Sequence, residues 1–150
     1  YGPGLAWAPE GSGAANKFIQ YQYLSNVHGL GDGEAEEGII AWRVDEDGVL
    51  HKEAYAENYI EEGGHYSSGQ LYIKSTLDEN GNAVREYTNK QGQVILKKVQ
   101  VVTKENPVDI DLNAIDEWAC TYYIYDDQGN LRIVLPPEGV KKILTLSTEN

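Results

Sequence analysis

The chain has 150 residues, the size of one ordinary domain, and sets 12 Lys and Arg against 24 Asp and Glu for a net charge of −12. A surface this acidic, with no basic patch, repels phosphate backbones and anionic lipid and argues against nucleic-acid and membrane-surface partners. No apolar run approaches the roughly 18 residues of a membrane helix, and the single cysteine, Cys120, cannot form an internal disulfide.

Residues 1–17 (YGPGLAWAPEGSGAANK) are rich in Gly, Ala and Pro and read as a leader or linker. The chain begins at Tyr1 and contains no Met, which reads as a piece of a longer protein. The domain proper is expected over residues 18–146, with a frayed tail at 147–150. Residues 18–24 (FIQYQYL) alternate as a first strand, and a loop with acids at Asp32, Glu34, Glu36 and Glu37 follows. In the strand at 39–44, Ile40, Trp42 and Val44 share one face. A further strand over 49–55 leads to an irregular excursion at 56–68 with room for one helical turn. Strands are then expected at 71–77, with Leu71, Ile73 and Leu77 on one face, at 83–88 and at 94–102. Lys97 and Lys98 break the alternation of the last, and a bulge there would restore it. Residues 103–117 interrupt the pattern, with one or two helical turns or a long connection over 111–118. A hairpin of 121–125 and 131–135 ends at Pro136-Pro137, and a short helix is expected at 139–144.

Polar turns punctuate these runs. Asp45-Glu46-Asp47-Gly48, Asp78 to Gly81, Asn89 to Gly92 and Asp126 to Gly129 share one design. An Asx side chain can bond nearby backbone amides, and a Gly can take the positive φ of a tight hairpin. Gly48, Gly81, Gly92 and Gly129, together with Asp126, are therefore assigned structural turn roles. Gly81 and Gly92 lie eleven residues apart, which leaves one strand and one turn per period. The fold class expected is all-β, a mainly antiparallel meander or curled sheet of repeats with one irregular or short-helical crossover.

The pattern Asp78-x-x-Gly81-x-x-x-x-x-Tyr87-x-x-x-x-Gly92 resembles the YD repeat of the Rhs (rearrangement-hotspot) family, and Tyr125-Asp126-x-x-Gly129-Asn130-Leu131 resembles a second copy. Gly69-x-Leu71-Tyr72 and Val134-Leu135-Pro136-Pro137-Glu138 resemble the N-terminal repeat region of Rhs-type proteins in Bacteroidetes-like bacteria. The likeness covers roughly residues 66–140. In the first turn Val44 stands where the pair would have Tyr. The resemblance implies a non-enzymatic segment of a β-shell in a secreted or surface protein, one that encloses a C-terminal cargo, often a toxin. Its partners would be the remaining repeats of the same chain, and an exposed edge could pair with a second copy of the fragment.

Asp78, Asn80 and Asn82 match the start of a calcium loop, but Asn89 stands where the bidentate Glu belongs. His28, His51 and His65 lack metal-ligand spacing, no Gly-rich loop opens a helix, and no cofactor is expected. Cys120, between Ala119 and Thr121, reads as a small buried apolar residue. The 11 Tyr against one Phe suit half-buried sheet faces. The alternative function is a carbohydrate-binding module in which exposed Trp42, Tyr122, Tyr123 and Tyr125 stack on surface glycans.

Overall fold

The computed structural model describes residues 19–27, 37–54, 59–61, 63–78, 81–102 and 111–148. The linker reading of 1–17, Phe18, His28, the acids at 32–36 and the Asn106-Pro107 break all lie outside these. The fold is all-β with one helix. Its strands are β1 (Gln20–Ser25), β2 (Trp42–Val44), β3 (Leu50–Lys52), β4 (Ile60–Glu61), β5 (His65–Tyr66), β6 (Tyr72–Leu77), β7 (Ala83–Thr88), β8 (Val94–Gln100), β9 (Trp118–Tyr125) and β10 (Leu131–Leu135), followed by α1 (Pro137–Thr148). A six-stranded antiparallel sheet runs β1-β6-β7-β8-β9-β10, and β2-β3 and β4-β5 are separate hairpins.

Four turns have nearly the same geometry. In each, the Gly amide donates to the carbonyl of the Asx three residues earlier: Gly48 to Asp45 (3.0 Å), Gly81 to Asp78 (3.0 Å), Gly92 to Asn89 (3.0 Å) and Gly129 to Asp126 (2.9 Å). The Asx Oδ1 then accepts the amide of the residue after the Gly, at 2.8 Å for Val49 and Asn82 and 2.9 Å for Gln93 and Asn130. The glycines have φ between 80° and 83°. A Cβ at this φ meets the following carbonyl, at a cost of about 1–2 kcal/mol. Gly129→Val should therefore destabilise the chain by about that amount, read as a lower urea midpoint at unchanged slope. An unmoved midpoint would contradict the assignment.

The register stacks side chains into rows across the inner face of the sheet. One row is Ile73, Tyr87, Leu96, Tyr122 and Leu135, and the next is Ser75, Arg85, Lys98 and Cys120. The apolar row packs on Ile39, Ile40 and Val140, with Trp42, Val44, Leu50, Tyr66 and Leu144 around them. The hairpins β2-β3 and β4-β5 and the helix α1 thus cover this face. Asn26 joins the layers: its Nδ2 donates to the Ser67 carbonyl at 2.9 Å, and its Oδ1 accepts from the Leu71 amide at 2.8 Å. On the outer face Lys74, Glu86 and Lys97 form a cross-strand row of alternating charge.

Several expectations need correction. The bulge lies at Tyr87/Thr88 and falls opposite Val94–Leu96, not at Lys97-Lys98. It lets both Ile95 and Leu96 be buried, while Lys98 points inward because it has a buried partner. The excursion at 56–68 holds the short β4-β5 hairpin. Of the two alternatives for 111–118, the structure has the connection: residues 111–117 make turns, without a helix. The helix α1 has twelve residues, longer than expected, and runs through Ser147 and Thr148 of the supposed tail. Pro137 begins it because the first helical position has no amide partner to lose, and the Val140 amide bonds the Pro136 carbonyl at 3.0 Å.

Candidate functional site

The turns at Asn89–Gly92 and Asp126–Gly129 close neighbouring hairpins at one end of the sheet and face the β2-β3 and β4-β5 hairpins across a groove. Its central section, about 530 Å³, has a floor of Ile95, Tyr122 and Ile124. Its walls carry Trp42, Glu53 and Tyr66 on one side, and Asn89, Gln91, Gln93, Asp126, Asp127 and Gln128 on the other.

All four aromatic residues picked from sequence line this section, but not as an exposed platform. Tyr122 is only 5 % exposed, and its hydroxyl oxygen accepts the Ile40 amide at 3.4 Å. Its role is therefore core packing, a correction to the stacking role. Burial pushes its phenol well above the ordinary value, so it stays neutral. Trp42 is half-buried and meets Tyr122 edge-on, with centroids 6.1 Å apart. Tyr123 and Tyr125 are half-buried, and the Tyr125 hydroxyl donates to the Val94 carbonyl at 2.9 Å. The exposed tyrosines include Tyr21, Tyr23, Tyr59 and Tyr72 instead. Alternation gives the parity of a strand but not which parity is covered, so exposure could not be read from sequence.

Sequence reasoning missed Tyr66, Glu53 and the amide side chains. Burial first, then the Glu53 charge, pushes the Tyr66 phenol up to about 12, leaving it a hydrogen-bond donor at neutral pH. Among the described residues, the Trp42 indole N–H is the one buried side-chain polar atom without a hydrogen-bond partner.

A second feature, also missed, lies under the sheet. Glu37 is 2 % exposed, and its Oε1 accepts from Lys98 Nζ and from the Tyr87 hydroxyl, both at 2.5 Å, while Oε2 faces Arg85 at 3.4 Å. Lys98 also donates to the Leu112 carbonyl at 2.8 Å. Burial and the neighbouring Glu37 charge hold the Tyr87 phenol far above its usual range. The cluster fills the polar row of the inner face, and its carboxylate balances the two buried cations.

Cys120 is half-buried and lines a cavity of about 240 Å³ with His65, Lys98 and Asn113. Burial pushes its thiol up, with Lys98 partly opposing, so a reactive thiolate is disfavoured at neutral pH. Asp126 is held below its ordinary value, chiefly by the Asn130 amide. A general acid for glycoside hydrolysis needs the opposite shift. Among the described residues no three His, Cys, Asp or Glu side chains gather to hold a metal ion, and no helix is long and apolar enough to cross a membrane.

The turn carboxylates set an acid limb. Asp45 is held below 3.8, first by the Val49 amide and then by His51, and Asp126 behaves alike. A lowered folded-state value contributes stability above about pH 4 that is lost as pH falls through that value. Asn89 performs the same turn bonding without a charge. Asp126→Asn should therefore fold normally and lose less stability between about pH 4 and pH 2 than the parent chain. Thermal melts at stepped pH check this, and parallel curves would contradict it.

Comparison of the chain with protein-family models, with curated proteins and with solved structures finds no match.

Proposed function

We propose that the chain is a non-enzymatic structural module, a segment of an Rhs/YD-repeat β-shell in a larger secreted or surface bacterial protein. Its chemistry is burial and strand pairing. The observation that carries this reading is the β1 edge, which pairs with no further strand among the described residues. The Asn26 amide bonds the Leu71 carbonyl, and alternation along an antiparallel pair then turns the amides and carbonyls of Tyr21, Tyr23 and Ser25 away from β6. Tyr23 is 78 % exposed, Leu24 on the opposite face is 44 % exposed, and QYQYLS carries no charge. An edge with no Lys, Pro or inward charge has none of the usual protection against pairing.

The test is sedimentation velocity across a concentration series. The parent chain should self-associate through β1, and Tyr23→Lys should weaken association at least about tenfold. A monomer at every concentration, or association unaffected by Tyr23→Lys, would count against the reading.

The groove favours a second reading, a carbohydrate-binding module. Here the support is the concave section lined by Trp42, Tyr66 and amide side chains, in place of an exposed aromatic face.

A further inference from the structure

The groove continues beyond its central section at both ends. Through Glu53, Asp126, Asp127 and Gln128 it joins a cavity of about 750 Å³ bordered by Arg43, Asp45, Glu46 and Arg132. Through Tyr66, Asn89 and Gln91 it joins one of about 330 Å³ bordered by Tyr59, Gln70 and Lys90. The two sets of shared residues do not overlap, so the central section lies between the other two. The turns that form one bank close hairpins β7-β8 and β9-β10, two inter-strand spacings apart, or about 9–10 Å. Each section is of the size that holds a small molecule, and together they suit a chain of linked units.

The lining states the chemistry of the occupant. Gln91 and Gln128 each offer an amide that both donates and accepts, beside an Asn89–Gln93 pair whose own amides already bond each other at 2.8 Å. Hydroxyl groups, which also do both, match such a wall better than groups that only donate or only accept. Trp42 and Tyr66 supply apolar ring surface. Among the described residues the central section carries Glu53, Asp126 and Asp127 and no Lys, Arg or His, so an anionic chain is repelled. Two of these acids already have cationic neighbours, Arg43 at 3.9 Å from Glu53 and Arg132 at 3.3 Å from Asp126, which reduces the pull on a basic peptide.

We infer that the groove binds a neutral oligosaccharide across its three sections, with the Asn89–Gly92 and Asp126–Gly129 turns contacting successive sugar rings. This rests on the carbohydrate-binding reading and narrows it to uncharged, extended glycans.

The test uses the purified chain on an array of neutral hexose oligomers of increasing length, sialylated and sulfated glycans, and a Lys/Arg-rich peptide. A Gln91→Ala/Gln128→Ala variant is run beside it, since both side chains are exposed turn residues and their loss spares the core. The expected result is binding to neutral oligomers that strengthens with length and falls at least tenfold in the variant. Binding confined to acidic glycans that is lost in the variant overturns the inference and leaves the carbohydrate reading standing. A blank glycan array, binding to the basic peptide alone, or glycan binding indifferent to the variant overturns both.

Discussion

Glu37→Gln is expected to destabilise the chain by about 3–5 kcal/mol, because it leaves two cations buried without their counter-charge. Arg85 is 8 % exposed and Lys98 6 %, and both reach toward this one carboxylate. The amide keeps the shape of the side chain and can still accept from Tyr87, so the loss reports charge and not packing. Lys98 is the closer partner, at 2.5 Å against 3.4 Å for Arg85. Adding Lys98→Met to Glu37→Gln should therefore recover part of the loss, since an apolar side chain is cheaper to bury than an unpaired ammonium. Urea denaturation of the two variants and the parent decides it. A midpoint for Glu37→Gln within about 0.5 kcal/mol of the parent would mean that Glu37 is solvated in solution.

Tyr122→Ala should cost a similar amount, about 3–5 kcal/mol, through lost burial and the cavity left behind. The ring sits between Leu96 and Leu135 in the apolar row, under Trp42, and its hydroxyl satisfies the Ile40 amide. Tyr122→Phe separates the two contributions. It should lose only about 0.5–1.5 kcal/mol for the hydrogen bond, more if the Ile40 amide stays dry. A Tyr122→Ala chain that melts like the parent would return this residue to the exposed platform suggested by its sequence. Loss of binding in such a variant is not by itself evidence of contact with a ligand.

The two features most legible in the sequence are local ones. The Asx-to-Gly turns close hydrogen bonds within five residues, so the pattern Asp or Asn, then Gly three later, contains the whole device. β7 and β10 follow from the alternation between such turns and end where expected. Glu37 was not legible. It reads as one more acid in a polar loop because its partners Arg85, Tyr87 and Lys98 lie 48, 50 and 61 residues away. The inward turn of Lys98 has the same cause, and it moved the bulge toward the start of β8. Pro137 was ambiguous for a different reason, since a proline that stops a strand also suits the first turn of a helix. The groove was half legible: Trp42 and Tyr125 were visible as aromatics, but Tyr66 and Gln91 become wall residues only when separate hairpins converge.

Amide hydrogen exchange on the isolated chain tests most directly the claim that this is a stable sheet whose β1 edge is left unpaired by the described residues. The account predicts slow exchange through the central strands β7, β8 and β9, and fast exchange at Tyr21, Tyr23 and Ser25, whose amides face away from β6, with these three slowing as concentration rises. Protection of those three amides in a dilute monomer, or fast exchange across β7–β9, would contradict it.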